Sequence, residues 1–258
     1  GNLRKFIFNF PTSKKEQRKI AQILSTWDKA ISTTESLIAK SQQQKKSLMQ
    51  QLLTGKKRFA EFEGKWKEVK LSQIAIIVMG SSPKSSDYNK IGNGLPLIQG
   101  NADIRNRKSC PRIFTSQVTK ECFIGDILLS VRAPVGTVAL SDHNACIGRG
   151  ISSIKAKNGY SHKFLYQWLL YFEPKWERLS QGSTFEAVNS NDIKSLHISI
   201  PPSQEEQQKI ASVLTTDDQE IDTLQQKLTH LKQEKKALMQ QLLTGKRRVI
   251  VDKETEAA

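Results

Sequence analysis

Cysteine is scarce. The chain has three, Cys110, Cys122 and Cys146, an odd number with no C-x-x-C spacing. That argues against a disulfide framework or a zinc site and for free thiols in a reducing cytoplasm. The four histidines, His143, His162, His197 and His230, are scattered with no companion at ligand spacing, so no metal and no cofactor is expected. Long apolar runs are missing too. Nothing approaches the roughly 20 residues that a membrane-spanning helix needs, and the opening GNLRKFIFNFP is too short and interrupted for the apolar core of a signal peptide. Because residue 1 is Gly, the true start is expected to be missing or replaced. Acidic side chains are in deficit, 25 against 40 Lys+Arg, for a formal charge of +15 and a pI near 9.7. That imbalance favours a polyanionic partner, nucleic acid being the commonest, over a membrane surface; a merely soluble basic protein is the bland alternative.

What is present is a repeat. The segment Phe10–Arg58 recurs as Ile200–Arg248 at an offset of about 190 residues, with roughly half its positions identical. The first copy reads FPTSKKEQRKIAQILSTWDKAIS…QQQKKSLMQQLLTGKKR, the second IPPSQEEQQKIASVLTTDDQEID…KQEKKALMQQLLTGKRR. Copies this far apart bracket something else instead of stacking into a solenoid. Each is punctuated as a helix. Ser13 with Glu16, and Ser203 with Glu206, spell an S-x-x-E capping box, and Gly55 and Gly245 suit the position just past a helix C-terminus. The basic tails Lys56–Arg58 and Lys246–Arg248 read equally as compensation of the helix dipole or as DNA contacts. The helix between runs for about 40 residues, roughly 60 Å at 1.5 Å per residue.

Its apolar period is that of a coiled coil. In the first copy the seam is Ile20, Leu24, Trp27, Ile31, Thr34, Ile38, Ser41, Lys45, Leu48, Leu52. In the second it is Ile210, Leu214, Asp217, Ile221, Leu224, Leu228, Leu231, Lys235, Leu238, Leu242. Steps of four and three alternate throughout. The copies are therefore expected to pair, and to run antiparallel if the segment joining them sits at one end. Lys45 and Lys235 interrupt the seam at matching places. They are expected to snorkel outward, with register control or a partner contact as the alternative.

Between the copies the pattern changes. Short runs, Ile74–Met79, Leu95–Ile98, Ile127–Val131, Val138–Leu140, Ile147–Ile154 and Leu196–Ile200, separated by Gly, Pro, Asn and Ser clusters, predict strands. Lys163–Tyr171, with Phe164, Leu165, Trp168 and Leu169, predicts a core helix. The expected fold class is α+β: one mixed α/β domain over residues 59–200, plus two long helices, over 11–58 and 201–248, forming an antiparallel coiled coil, with 249–258 as a tail. Leu3–Phe10 aligns with Ile193–Ile200 at the same offset, so residues 1–10 read as the last strand of a second such domain whose body is absent.

Loops of the middle domain carry groups suited to reading a duplex. They are Ser81, Ser82 and Lys84; Gln99, Asn101, Arg105, Arg107 and Lys108; Arg132; Arg149 between two glycines; and Ser183, Thr184, Asn189 and Asn191. Arg and Lys pair with guanine or phosphate, Asn and Gln with adenine, and glycine lets backbone N–H groups approach phosphates. Any surface has polar loops, and a domain binding small molecules or proteins would carry them too. Their summed positive charge argues for DNA better than any single residue. Enzyme signatures are absent. There is no adenine-methyltransferase tetrapeptide (the sole Pro-Pro pair is Pro201-Pro202), no G-x-G-x-x-G after a strand and no phosphate-binding loop, and Glu234–Lys236 falls in mid-helix.

The P-x-S-x-x-E-Q-x-K-I-A-x-x-L start and LMQQLLTGK end of each repeated helix resemble the conserved regions of type I restriction–modification specificity subunits. GSSP, LIQGNADI, GDILLSVRAPVG and GSTFEAVNSNDIKSLHISIPP resemble a target-recognition domain of that family. The resemblance covers almost the whole chain. It implies a non-catalytic, cytoplasmic subunit that binds one part of a split sequence in double-stranded DNA. It also implies recruitment of adenine-methylating modification subunits and, through them, ATP-driven restriction subunits. The family usually carries two recognition domains, whereas this chain has one complete domain. A half-length form is expected to work as a homodimer, twofold symmetry turning two half-sites into an inverted repeat and the coiled coil setting their gap. The alternative is an assembly scaffold without DNA specificity of its own.

Overall fold

The computed structural model describes residues 11–181 and 187–250; the strand expected at residues 1–10 and most of the tail lie outside them. Helix α1 spans Lys14–Leu52. After it come β1 (Lys67–Lys70), the single turn α2 (Leu71–Ile74) and β2 (Ala75–Met79). Short strands follow: β3 (Tyr88–Asn89), β4 (Leu95–Ile98), β5 (Ile104–Arg105), β6 (Lys108–Ser109), β7 (Ile113–Thr115) and β8 (Glu121–Cys122). Then come β9 (Ile127–Ser130), β10 (Val138–Leu140), β11 (Ala145–Ile147) and β12 (Ile151–Ala156). Helices α3 (His162–Gln181) and α4 (Ser190–Lys194) and strand β13 (His197–Ile200) lead into α5 (Gln204–Leu242). The chain divides into two compact units, one of Gly1–Lys45 with Thr216–Ala258, the other of Lys46–Thr215; α1 and α5 contribute to both.

In the first unit the helices form the antiparallel coiled coil. Every position of the expected seam is buried or half-buried in both helices. Ion pairs fix the direction: Lys45 with Asp218, Glu35 with Lys232 (2.7 Å), Asp28 with Lys235 and Glu16 with Arg248 (2.6 Å) descend one helix as they climb the other. Lys45–Asp218 and Lys235–Asp28 are one interaction written twice, since the repeat maps each residue of the first pair onto one of the second. The two lysines do not snorkel free. Their side chains are 12% and 22% exposed, each held by an aspartate of the opposite helix, which ties the polar layers to one register. Asp217 occupies a seam position with one carboxylate oxygen unpaired, and burial, with Glu220 and Asp218 nearby, pushes its carboxyl up against the pull of Lys45.

The capping boxes form by half. Ser13 Oγ accepts the Glu16 N–H (3.4 Å) and Ser203 Oγ the Glu206 N–H (3.1 Å). Each glutamate carboxylate, however, takes an arginine of a basic tail. In the first unit Arg248 Nε and Nη2 donate to Glu16 (2.7 and 2.6 Å); in the second, Arg58 Nε and Nη2 donate to Glu206 (2.8 and 2.7 Å), joined by Trp66 Nε1 (3.3 Å). Arg58 and Arg248 each neutralise a buried glutamate of the other helix, because a buried carboxylate must be matched by charge at short range. Gly55 and Gly245 sit past the helix ends at φ +70° and +72°, the left-handed conformation expected of them.

The second unit is built on two sheets. The larger has the order β2-β12-β9-β10-β6-β5, the smaller β3-β7-β4-β11-β8, and β1 pairs separately with β13 in antiparallel register from Lys67↔Ile200 to Lys70↔His197. Neighbours are antiparallel except β10–β6 and β11–β4. The strands alternate their side chains between two cores. Ile127 and Leu129 of β9 face a cluster with Leu71, Ile74, Phe164, Leu165, Leu169, the long-helix residues Leu52, Ile210 and Leu214, and Leu53 just past α1. Leu128 faces the other way, into a smaller cluster with Ile98, Cys122, Ile147 and Ile151. Burial on both faces explains why β9 is apolar from Ile127 to Leu129.

The single run expected over Ile147–Ile154 is two strands, because Gly148–Gly150 leaves one sheet and joins the other. The expected helix Lys163–Tyr171 runs instead from His162 to Gln181, past Pro174. An aromatic ladder, Trp168 on Phe172 (5.1 Å) and Phe172 on Trp176 (5.2 Å), packs on both sides of that proline. Strand β1 and the single-turn helices α2 and α4 carried no readable period. Cys122 and Cys146 are buried free thiols, while Cys110 is half-buried.

Leu129→Ala, which empties a fully buried site in the central strand, is expected to cost about 2–5 kcal/mol in a chemical denaturation curve. The hydrogen bonds of Arg248 hold the Glu16 carboxyl below the ordinary carboxylate range, against desolvation and with help from the Val249 N–H. The folded state therefore binds that proton less readily than the unfolded state. The stabilisation is present above the unfolded pKa and is lost as pH falls through the lower, folded one. Melting temperature followed from about pH 6 downward should drop less steeply in Glu16→Gln than in the parent chain; equal slopes would show that the clasp carries no linkage.

Candidate nucleic-acid interface

The candidate loops converge where β2, β4, β9 and β11 end and β12 begins, stitched backbone to backbone. Gly80 N–H donates to Ile151 O (2.9 Å), Ser81 N–H to Ile147 O (2.9 Å) and Gly148 N–H to Ile98 O (2.8 Å). Gly150 N–H donates to Gln99 O (3.1 Å), Val131 N–H to Gly150 O (2.9 Å) and Val188 N–H to Val131 O (2.9 Å). Arg149 N–H donates to Ser82 Oγ (3.1 Å), Thr119 Oγ1 to Ser81 O, and Arg132 forms an isolated bridge with Ala187. Approach this close demands glycine at two points. A Cβ on Gly80 would lie 2.2 Å from Gly148 O, and one on Gly150 would lie 2.3 Å from Gln99 O.

This knot brings together Ser81, Ser82, Gln99, Arg132 and Arg149, with Asn101 in the adjoining 3-10 turn Asn101–Asp103. Arg132 and Arg149 are exposed, and among the described residues neither has a side-chain partner. Lys84, also exposed, follows in the loop after Ser82. Arg105, Arg107 and Lys108 sit apart on the β5–β6 hairpin, whose two-residue turn places Asn106 and Arg107 at φ +48° and +62°, the geometry of a type I′ turn. There Arg107 Nη1 donates to Val138 O (3.0 Å) and Glu173 (2.5 Å), and Lys108 pairs with Asp142 (3.0 Å). Asn189 is engaged in capping α4, its Oδ1 accepting from Asn191 N–H (2.8 Å) and Asp192 N–H (3.1 Å), while Asn191 is exposed on that helix. Ser183 and Thr184 lie outside the described residues.

One arginine escaped the sequence reading. Arg112 Nε donates to Asp103 Oδ1 (2.8 Å), and the hydrogen bond to that carboxylate holds the guanidinium more firmly protonated than usual. Asp103 is buried, and its other oxygen accepts the Gln99 N–H (2.8 Å). No local pattern joins Asp103 to a residue nine positions on; only the hairpin between them does. Among the described residues no group of three or more His, Cys, Asp or Glu could hold a metal ion, and no helix is long and apolar enough to cross a membrane.

The fold is thus a mixed α/β domain with a loop knot, together with an antiparallel pair of repeated helices. The sequence model of the type I restriction modification DNA specificity domain matches residues 63–233. The sequence named type I restriction enzyme MjaX specificity subunit, from Methanocaldococcus jannaschii, is 38% identical over 246 residues, covering 91% of this chain and 58% of that protein. The crystal structure of the HsdS subunit from Thermoanaerobacter tengcongensis superposes with a TM-score of 0.63 at 31% identity, over 90% of this chain and 59% of that one. A chain from a structure addressing complex assembly and conformational transition of the type I R-M system gives 0.65 at 31% identity, over 92% and 61%. This chain belongs to the type I restriction modification DNA specificity domain family. It spans about three fifths of the length of these relatives.

Gly150→Ala is expected to displace the Gln99 carbonyl, lowering the melting temperature together with any sequence preference in duplex binding. Arg149→Ala should leave the melting temperature within about 0.5 kcal/mol equivalence of the parent, as for an exposed side chain. Thermal unfolding of the two variants side by side checks both.

Proposed function

We propose that this chain reads one half-site of a split sequence in double-stranded DNA and is a non-catalytic subunit that brings methyltransferase, and through it restriction, subunits to that site. The observation that carries this reading is the loop knot. It fixes the backbone from which exposed arginines, Arg132 and Arg149, project in a chain of net charge +15. A rigid platform with cationic forks is what base-edge recognition requires. The family description and the names of the relatives support it: a DNA specificity domain, and specificity subunits of type I restriction enzymes. The recognition domain is taken as residues 59–200, between long helices at 11–58 and 201–248, and catalysis is left to the partner subunits.

A chain with one recognition domain reads a bipartite site most simply as a homodimer on an inverted repeat. The internal repeat is consistent with that, since its reciprocal ion pairs already obey a local twofold relation. Under this reading the chain works in the cytoplasm, where the DNA and the partner subunits are.

Co-purification with a modification subunit and sequencing of the methylated sites tests the proposal. An inverted repeat is the expected product. An asymmetric bipartite site would overturn the homodimer, and no methylation with no duplex binding would leave only the scaffold reading. Binding should weaken steeply with salt, as phosphate contacts dictate. Arg132→Ala should cost about 1–3 kcal/mol and relax one position; equal loss on all sequences would make that residue a phosphate contact.

A further inference from the structure

Resting on the DNA-reading assignment above, we propose that Arg112 is a base-reading residue whose guanidinium is aimed by Asp103 at a guanine. Asp103 is 1% exposed and locked on all sides. Its N–H donates to Gly100 O (3.0 Å), its carbonyl accepts the Cys110 N–H (2.7 Å), and its two carboxylate oxygens accept from Gln99 N and Arg112 Nε. A carboxylate so held cannot follow the arginine; the arginine must follow it. The Arg112 side chain is nonetheless 57% exposed, so the group is anchored at its inner nitrogen and open to solvent at its outer edge.

The chemistry follows from which nitrogen is spent. Asp103 takes Nε, and among the described residues the two Nη groups have no partner. Those two nitrogens form the planar fork that matches two adjacent acceptors, such as O6 and N7 of guanine. Fixing the guanidinium before binding removes most of the rotamer entropy that a free arginine loses on binding. Arg107 provides the contrast, for its Nη1 is already occupied by Val138 O and Glu173, so its fork is not free. Position agrees with chemistry. The carboxylate that holds Arg112 also holds Gln99, whose carbonyl accepts the Gly150 N–H in the loop knot. Arg112 is therefore three hydrogen bonds from the segment that carries Arg149, through Asp103, Gln99 and Gly150.

A phosphate offers a similar pair of acceptors, so the test must separate base from backbone. The full chain and its Arg112→Met, Arg112→Lys and Asp103→Asn variants are each taken through selection on a pool of duplexes with a randomised core, and affinity for the selected duplex is measured against salt. In Arg112→Met and Arg112→Lys, preference at one G·C position should fall about tenfold or more, with the other positions retained. The salt slope should be unchanged in Arg112→Lys, which keeps the charge. Asp103→Asn, which frees the arginine without discharging it, should relax the same position; Arg112→Lys, at a half-exposed site, gives the readout free of any folding defect. Unaltered preference at every position in both Arg112 variants overturns the proposal. So does a uniform loss over all sequences with a salt slope lowered by about one in Arg112→Met, which marks a phosphate contact. A parent chain that enriches no sequence overturns the DNA-reading assignment, and Arg112 with it; a parent that enriches a site the variants share overturns the role of Arg112 alone.

Discussion

A carboxylate withdrawn from water at the start of each long helix has to meet a cation, and the repeat dictates which one. Glu16 and Glu206 are buried, so leaving either carboxylate unmatched would cost about 3–5 kcal/mol, a large share of a domain's stability. Because both copies contain both partners, a parallel pairing would set identical residues beside each other: Glu16 near Glu206, Asp28 near Asp218, Lys45 near Lys235. An antiparallel pairing gives each glutamate the arginine of the other copy and each lysine the aspartate. The charge pattern thus selects the same antiparallel pairing that buries the apolar seam. In the second unit the same clasp does more. Arg58 also donates to the carbonyls of Glu63 (3.1 Å) and Gly64 (2.7 Å), tying the chain that leaves α1 to the start of α5. The β1–β13 pair, through which the domain begins and ends, is set between those points in the chain.

A second constraint operates inside that domain, and it concerns backbone. The chain passes from one sheet to the other at Gly148–Gly150, and the loops around it approach within hydrogen-bonding distance of one another. Space there is so short that side chains are excluded at Gly80 and Gly150. The amides spend their hydrogen bonds on neighbouring loops, as buried backbone must. What remains for a ligand is the side chains that point outward, and several of these are arginines. Geometry is thus held by atoms that every residue has, and chemistry is presented by atoms that only certain residues have.

Much of this was legible in the sequence, for identifiable reasons. The four-three stepping of the seam is a one-dimensional signal, and each seam position from Ile20 to Leu52 is shielded as the period requires. Strands β4 and β10 start and stop at the expected residues because Gly, Pro or polar clusters bound them. The glutamates of the capping boxes were misassigned because their arginines lie 148 and 232 residues away in sequence. Local rules favour the nearer partner; the tertiary contact wins since it neutralises a charge and does more than fill an acceptor. Likewise Lys45 and Lys235 looked like defects in an apolar stripe until the aspartates of the opposite helix were placed beside them. In the site, the glycines signalled loops, but only the sheet order showed that the loops meet. The sequence pattern could not separate Arg107, engaged by Glu173, from Arg132 and Arg149, since all three sit in polar loops with glycine nearby.

Dividing the work between backbone and side chain has a consequence for how such a domain can vary. Replacing an exposed arginine on the knot removes little buried area and breaks no loop contact, so stability and fold should tolerate it. Replacing a knot glycine, or the buried Asp103, disturbs several loops at once. Under the proposed function, recognition chemistry is therefore free to change at positions such as Arg132 and Arg149, while the positions that set their placement are not. The long helices show the same division. Their outer faces are exposed and open to substitution, whereas the clasp residues and the lysine–aspartate layers each answer to a partner in the other copy. Removing the arginine of a clasp while its glutamate stays would leave a buried carboxylate uncompensated, so the arginine is the less replaceable partner of each pair.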